Sequence, residues 1–283
     1  MISPYIALMK LRVVELLLVT TLPALFLAAG GMPPLGATIA TLIGGTLAAG
    51  AANAFNMVIE SDIDQLMSRT SKRPLVNEKV TQTKALIFAF GLSIISLSLF
   101  WIFTNELAAG LTLSAIAFYV FVYTVWLKRR TSQNIVWGGI AGCLPVLIGW
   151  SAVTQSLSWP AFWLFMVVFF WTPPHFWALA IKYRDDYAAA GIPMLPVVAS
   201  IGSVAKQMWF HTSAMFLTSL VTLWSYGAPL WSYFVTIALA FFFTSSMRGL
   251  TGEQSEKVAM RIFHASITYL SLYSILLVVV AFF

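Results

Sequence analysis

The end of the second apolar run carries four oxygen-bearing side chains at helical spacing. Asn53, Asn56, Glu60 and Asp64 follow one another at intervals of three or four residues. Each residue of an α-helix turns by about 100°, so these four lie within about 80° of one another. Asp62 falls on the opposite side of the helix. The sequence therefore predicts one polar stripe at this helix end.

The stripe has the chemistry of a site for a hard divalent cation. Two carboxylates four residues apart repel each other, and ionisable groups inside a bilayer are costly. Carboxylate and amide oxygens suit Mg²⁺, particularly when substrate phosphates complete its coordination. A single acid would indicate only a solvated helix end, but Asn56, Glu60 and Asp64 together favour a metal site.

Basic residues follow the stripe directly along the chain. Arg69, Lys72 and Arg73 lie in this segment and would suit an anionic group such as a diphosphate, which arginine can bind through two parallel hydrogen bonds. The alternative is a group of cations at lipid head groups. That alternative accounts for Lys79 and Lys84, but explains less well why basic residues adjoin an acidic stripe.

A second helix end resembles the first in its pattern of polar residues. His175, Lys182 and Asp186 lie within about 40° of one another on a helix. A shift of 122 residues aligns the two ends, pairing Asn53 with His175, Glu60 with Lys182 and Asp64 with Asp186. The match indicates a weak parallel repeat, with sites at its interface. A chance match is the alternative.

His175 could have either a functional role or a structural one. It follows Trp171-Thr172-Pro173-Pro174, where the prolines predict a break or kink that opens polar backbone towards a cavity. A lone buried histidine is usually a packing residue. Because Lys182 and Asp186 share its stripe, we favour a functional role.

The composition shows what kind of scaffold positions these side chains. Of 283 residues, 60% are hydrophobic and 9% charged, with a mean hydropathy of +0.87. A soluble domain carries about 25% charged residues, and disorder requires low hydrophobicity, so both are excluded. The single cysteine, Cys143, excludes a disulfide framework. The net charge of +6 lies in short clusters between apolar runs, so we expect a lipid bilayer and no nucleic acid as partner.

Nine apolar segments are long enough to cross a bilayer, which takes about 20 residues each. They predict one all-α transmembrane domain over residues 1–283, with spans one to four repeated in five to eight and a ninth added. The segments are 13–31, 37–60, 85–103, 107–127, 134–153, 159–181, 207–226, 229–247 and 262–282.

The basic residues predict the orientation of these spans. With nine spans, all 16 Lys and Arg residues fall on the side of the N-terminus. Basic loops stay in the cytoplasm, so the N-terminus is expected there and the C-terminus on the opposite side. We expect a multi-pass protein of a bacterial inner membrane, with its site at the cytoplasmic face.

The connection between spans four and five adds further candidates. It carries Lys128 and Arg129, and Gly138 and Gly139 follow. Glycines in membrane helices allow close helix packing. They would equally leave room for a bulky flat ligand, and the sequence leaves both possibilities open.

These motifs resemble a known family. The stripe of Asn56, Glu60 and Asp64 resembles the first Asp-rich motif of the UbiA superfamily of intramembrane prenyltransferases, and residues 182–186 resemble the second. Other motifs are similar to the haem-farnesylating branch of that family: Asp64-x2-Met67-x-Arg69-Thr70-x2-Arg73-Pro74-Leu75, Thr131-Ser132-Gln133-Asn134, Trp137-Gly138-Gly139, Thr172-Pro173-Pro174-His175-Phe176-Trp177 and Gly191-Ile192-Pro193-Met194-Leu195-Pro196.

The resemblance implies a fold and an activity. The fold is nine transmembrane helices around a central cavity, with Mg²⁺ and a prenyl diphosphate at its cytoplasmic mouth. The activity is transfer of the farnesyl group of farnesyl diphosphate to a vinyl group of haem B, with addition of water, to give haem O. A haem A synthase or a terminal oxidase is the expected recipient of the product.

The site residues expected on this basis fall into three groups. The catalytic residues are Asn56, Glu60, Asp64, His175, Lys182 and Asp186, and His175 would contact haem iron or act as a base. The metal ligands are Asn56, Glu60, Asp64 and Asp186. The substrate-binding residues are Asn53, Arg69, Lys72, Arg73, Lys128, Arg129, Tyr183 and Asp185. Glu60 stands where many members have Asp, and Asp185-Asp186 replaces a spaced acid pair, so the ligands on span six stay open.

Two other functions are compatible with parts of this pattern. A UbiA-type enzyme could prenylate an aromatic quinone precursor instead, although residues 172–175 argue against that acceptor. A membrane transporter would also be buried in lipid and contain a repeat. The charges gather at one face and form no path across the bilayer, which disfavours a transporter.

Overall fold

The computed structural model describes residues 3–283, and in this part of the chain the regular structure is entirely helical. Long helices are interspersed with short ones of four to seven residues. The elements are α1 (Ser3–Met9), α2 (Leu11–Ala29), α3 (Leu35–Ile59), α4 (Ser61–Asp64), α5 (Gln82–Phe103), α6 (Glu106–Ala117), a π-helical segment (Phe118–Leu127), α7 (Asn134–Gly138), α8 (Ile140–Thr154), α9 (Trp159–Lys182), α10 (Arg184–Ala189), α11 (Leu195–Val198), α12 (Ile201–Tyr226), α13 (Leu230–Ser246) and α14 (Ser255–Val280).

The predicted all-α membrane architecture is confirmed. Helices lie at all nine predicted segments. Within residues 3–283, seven helices are long and apolar enough to cross a bilayer; α13 is apolar but shorter, and α12 is not among the seven. The chain is therefore a multi-pass membrane protein, and the count of nine spans stays a prediction.

Two predicted spans differ locally from regular helices. The fourth span begins as α6 and continues as a π-helix from Phe118, and the fifth is divided into α7 and α8 at Gly139. The two irregular parts lie against each other, because a Cβ atom at Gly138 would overlap the ring of Tyr123. The glycine lets these helices approach closely at the Tyr123 ring.

The sixth span is not broken at its prolines. The helix α9 runs without interruption through Pro173 and Pro174, and both side chains are buried. Membrane helices tolerate proline where neighbouring helices and hydroxyl side chains satisfy the freed backbone groups. The hydroxyl of Thr172, just before the prolines, donates to the Val168 carbonyl oxygen at 2.8 Å, one residue before the two carbonyls that Pro173 and Pro174 leave without a helical donor.

The core lies where α9 packs against α8, α12 and α14. Trp177, Tyr269 and Tyr273 are among its largest fully buried side chains. Tyr273 donates to the Ser219 carbonyl oxygen at 2.8 Å, so its hydroxyl is satisfied between α14 and α12. A second group of helices, with α3 packed on α5, completes the wall around a central space.

The two helix ends that suggested a repeat have a similar local form. The helix α3 ends at Ile59 and α4 restarts at Ser61, while α9 ends at Lys182 and α10 restarts at Arg184. The intervening residues, Glu60 and Tyr183, have φ, ψ of −99°, 11° and −104°, 29°. Both lie near the sparsely populated bridge region between helix and strand. The repeat itself stays a prediction.

Close packing at Gly138 predicts a stability difference between two glycine variants. We expect Gly138→Ala to lower the free energy of unfolding by about 1–3 kcal/mol, because the added methyl group displaces the Tyr123 ring. Gly142→Ala is the matched control, since no atom lies within 4 Å of its added Cβ. Thermal unfolding of both variants in detergent is the measurement. Equal melting temperatures would contradict the packing described here.

Candidate functional site

A central cavity of about 300 Å³ lies between the helices and has two chemically different parts. Its wall is mainly apolar, with small residues of α3 such as Gly45, Ala48 and Ala52 along one side. The polar end of the cavity is lined by Lys10, Asn53, Asn56, Glu60, Arg69, Arg73, Tyr119, Tyr123, Lys128 and Tyr187. We call this end the mouth. It joins a charged surface to an apolar interior.

The predicted polar stripe forms across the junction of α3 and α4. Backbone hydrogen bonds of 2.9 Å run from Glu60 to Asn56 and from Asp64 to Glu60, so helical spacing continues through the irregular residue. Glu60 is 1% exposed and Asp64 is 2% exposed. The side chain of Asp62 is 61% exposed. The prediction that Asp62 faces away from the other two acids is confirmed.

The side chains of Asn56, Glu60 and Asp64 are each bonded to a cationic side chain from another segment of the chain. Lys128 Nζ lies 2.5 Å from Glu60 Oε1. Arg73 Nη1 lies within hydrogen-bonding distance of both Asp64 carboxylate oxygens. Buried carboxylates need such partners, because an unpaired buried charge is strongly destabilising.

The third cation, Lys10, was not among the residues expected at the site. Its Nζ donates to Asn56 Oδ1 at 2.9 Å. Asn53 Nδ2 donates to the Met9 carbonyl oxygen at 3.0 Å, which fixes the junction of α1 and α2 over the stripe. Lys10 has a positive φ of 51°, a strained conformation for a residue with a side chain. A basic residue just before the first span was the available signal in the sequence.

The remaining cations predicted at the site lie in three different environments. Arg69 lines the mouth, with its guanidinium 5.9 Å from the centre of the Tyr183 ring. Lys72 is exposed and is not part of the cavity wall. Arg129 forms two hydrogen bonds, of 2.8 and 2.9 Å, to the exposed carboxylate of Asp62. The same hydrogen bonds lower the pKa of Asp62. Lys72 and Arg129 therefore lie outside the cavity.

The second predicted stripe is divided rather than assembled. Ser68 donates to Asp186 Oδ2 at 2.7 Å, which places Asp186 against the loop after α4. Lys182 and Asp185 instead line a separate cavity of about 410 Å³ together with Glu256. Backbone hydrogen bonds of helical spacing continue through Tyr183, so the stripe is divided by the different partners of its side chains.

His175 is packed between helices rather than at the cavity wall. Its Nδ1 lies 2.8 Å from Ser266 Oγ on α14. The ring stacks on Trp171 and Phe263, with centroids 4.2 and 4.6 Å apart. Thr172 and Trp171 line the cavity, whereas His175 does not belong to its wall. The structure therefore does not bring His175 to the acids.

Two tyrosines and a threonine of the π-helical segment were missed by sequence reasoning. Tyr119 and Tyr123 line the mouth, and their ring centroids are 5.4 Å apart. Thr124 accepts a hydrogen bond of 3.1 Å from Asn56 Nδ2 and donates to the Tyr119 carbonyl oxygen. The sequence of this π-helix is apolar like that of the α-helix that precedes it, so it carries no signal for the change.

The donor set of the mouth fits a hard cation that also takes ligands from a substrate. Glu60 supplies a carboxylate at the mouth and Asp64 a second one behind Arg73, and Asn53 and Asn56 supply amides. Residues 3–283 contain no group of three or more His, Cys, Asp or Glu that could enclose a metal ion. Mg²⁺ is commonly held by one or two carboxylates together with substrate phosphates, so the small number of acids is compatible with it.

Comparisons with known proteins identify the class to which this fold and site belong. The model of the UbiA prenyltransferase family matches residues 17–267. A structure of a UbiA homolog from Archaeoglobus fulgidus bound to DMAPP and Mg²⁺ covers 98% of this chain and 99% of its own, with a TM-score of 0.70 at 17% identity. The chain belongs to the UbiA prenyltransferase family, as its motifs predicted.

Two other proteins are similar to this chain at much higher sequence identity. A protoheme IX farnesyltransferase from Frankia alni is 52% identical over 283 residues, which cover 99% of this chain and 98% of that protein. A protoheme IX farnesyltransferase from Streptomyces avermitilis is 51% identical, over 96% of this chain and 91% of that protein. Both comparisons extend over nearly the whole length of the chain.

The packing of His175 predicts mainly a loss of stability when it is replaced. We expect His175→Ala to lower the free energy of unfolding by about 3 kcal/mol through lost ring packing. Ser266→Ala, which removes only the hydrogen-bonding hydroxyl, should cost about 1 kcal/mol. Thermal unfolding and the absorption spectrum of added haem B are the measurements. An altered haem spectrum in folded His175→Ala alone would instead support the role expected from sequence.

Proposed function

We propose that this protein transfers the farnesyl group of farnesyl diphosphate to a vinyl group of haem B, with addition of water, giving haem O and diphosphate. One observation carries the proposal. An apolar cavity with a cationic, acid-bearing mouth lies in a chain that is 52% identical, over nearly its whole length, to a protoheme IX farnesyltransferase. The mouth would hold the diphosphate and the interior the apolar parts of both substrates.

The cations of the mouth are the proposed diphosphate site. Lys10, Arg69, Arg73 and Lys128 line it. Their positive charge stabilises the negative charge that develops on the leaving diphosphate as its bond to the farnesyl carbon breaks. Arg69 and Arg73 can each bind two oxygens at once. We therefore assign leaving-group stabilisation to these four side chains.

Asn56, Glu60 and Asp64 are the proposed ligands of Mg²⁺. A divalent metal bound there would neutralise part of the diphosphate charge. A solved UbiA homolog of the same fold is bound to DMAPP and Mg²⁺, which supports a divalent metal in this fold. Asn53 orients the α1–α2 junction through Met9, and we propose that it positions Lys10 rather than the metal. Asp186, bonded to Ser68 outside the cavity wall, is not included among the ligands.

The apolar part of the cavity is the proposed place of bond formation. The farnesyl cation joins the vinyl carbon, and the resulting haem-borne cation takes up water and releases a proton. Before that step, water must be kept from the farnesyl cation, which an apolar wall achieves by exclusion. Small side chains at Gly45, Ala48 and Ala52 leave room there for a bulky acceptor.

The proposed cellular arrangement follows from charge and location. The acids and cations lie at the end of the molecule that carries the basic loops, which the positive-inside rule places in the cytoplasm. We propose a bacterial inner-membrane enzyme with a cytoplasmic N-terminus and a cytoplasmic mouth. A haem A synthase or a terminal oxidase is the proposed recipient of the product, because haem O is too apolar to be released into water.

One assay tests the proposed function. Purified full-length protein is incubated with haem B, farnesyl diphosphate and Mg²⁺, and the products are separated and identified by mass. Haem O is the expected product. No haem O, under conditions in which a protoheme IX farnesyltransferase of another organism forms it, would refute the proposal. Prenylation of an aromatic quinone precursor in the same assay would identify the alternative acceptor.

Amide variants of the stripe test the assignment of the acids. Glu60→Gln and Asp64→Asn should each lower the rate of transfer at least about 100-fold, because a negative oxygen donor is lost at nearly constant size. Asp62→Asn is the matched control on the same short helix, since Asp62 is exposed and paired with Arg129. It should keep near wild-type activity. Three equal rates would show that the metal assignment is wrong.

A further inference from the structure

Three groups of the polar stripe are bonded to a protein cation in the same way. Asn56 accepts from Lys10, Glu60 pairs with Lys128, and Asp64 pairs with Arg73. The three cations come from the α1–α2 junction, from the loop after α4 and from the loop after the π-helical segment. Each of the three proposed metal ligands thus has at least one oxygen bonded to a cation of the chain.

Asp64 shows most clearly that these contacts conflict with metal binding. Both of its carboxylate oxygens are bonded to Arg73. Arg73 lines the cavity, but Asp64 does not belong to the cavity wall. A ligand in the mouth therefore meets the guanidinium first. Asp64 becomes available only if Arg73 turns towards another anion.

The charge of the mouth opposes a metal ion that arrives alone. Lys10, Arg69, Arg73 and Lys128 line the mouth, against the two carboxylates of Glu60 and Asp64. A divalent cation would add to this positive excess, whereas a diphosphate reverses it. At such short range in a partly buried site, these interactions are only weakly screened.

We infer that Lys10, Arg73 and Lys128 are displaceable cations. Without bound ligands they are bonded to Asn56, Glu60 and Asp64, and they move to the diphosphate oxygens when the metal and the diphosphate bind together. The inference rests on the proposed function only in placing a metal and a diphosphate at this mouth. It assigns to Lys10 a substrate-dependent role in metal binding. Its consequence is strong positive coupling between the two ligands.

Binding of Mn²⁺ to the full-length protein in detergent measures this coupling. Equilibrium dialysis is carried out with the metal alone and with the metal plus inorganic diphosphate. The concentration of the free metal–diphosphate complex is equal on both sides of the dialysis membrane. For the wild type we expect weak binding of Mn²⁺ alone and at least about tenfold tighter binding with diphosphate.

Lys10→Met is the decisive variant, because the group that loses its partner is the neutral amide of Asn56. No buried charge is left unpaired. The variant should strengthen binding of Mn²⁺ alone about fivefold and weaken binding in the presence of diphosphate by a similar factor. Lys128→Met should shift the two affinities in the same opposite directions. If Lys128→Met does not fold, since Glu60 is left unpaired, Lys10→Met alone decides.

Arg69→Met is the matched control for charge alone. It removes one positive charge from the same mouth, yet within residues 3–283 Arg69 forms no ion pair with Glu60 or Asp64. Binding of Mn²⁺ alone should change by no more than roughly twofold. An increase as large as that of Lys10→Met would attribute the effect to net charge and overturn the inference.

Two further results would also overturn the inference. One is unchanged or weaker binding of Mn²⁺ alone in folded Lys10→Met, and the other is a wild type with no coupling between metal and diphosphate. The experiment contains neither haem nor a prenyl chain. If Lys10→Met binds Mn²⁺ alone more tightly and Mn²⁺ with diphosphate more weakly, but the wild type makes no haem O, the proposed function is refuted and this inference stands. If the wild type makes haem O but Lys10→Met does not show these two changes, this inference is refuted and the proposed function stands.

Discussion

The burial of two carboxylates at the end of α3 is the constraint on which the rest of the structure depends. Glu60 and Asp64 are almost completely enclosed in a protein with very few charges. Removing such groups from water is tolerated only if cations and hydrogen-bond donors replace it. Lys128 and Arg73 fill this need from separate loops. The loops, the helix ends and the mouth are therefore held in place by the same charges.

The same charges divide the molecule into a part that binds anions and a part that excludes water. At the mouth, cations and acids lie within hydrogen-bonding distance, whereas the cavity wall beyond them is mainly apolar. A leaving group that gains negative charge is stabilised at the first part, and a carbocation is protected in the second. The proposed farnesyl transfer needs both environments next to each other.

The two halves of the chain illustrate how similar sequence patterns acquire different roles. The end of α3 keeps its acids on one side because hydrogen bonds of helical spacing continue through Glu60. Helical spacing also continues through Tyr183 after α9, yet Lys182 and Asp186 lie in different surroundings. His175 contributes to the contact between α9 and α14. The charges that line the mouth are concentrated around the first helix end, whereas the sequence predicted catalytic residues at both ends.

The sequence by itself determined the membrane class, the helical segments and the stripe of Asn56, Glu60 and Asp64. These features depend on local composition and on the rotation per residue, which any helix imposes. Only the tertiary structure decided which cation meets which acid, that Lys10 joins the mouth and that His175 packs against Ser266. Such pairs are distant along the chain, and their geometry depends on how loops and irregular helices meet. A pattern within one helix carries no information about which loops and helices contact one another.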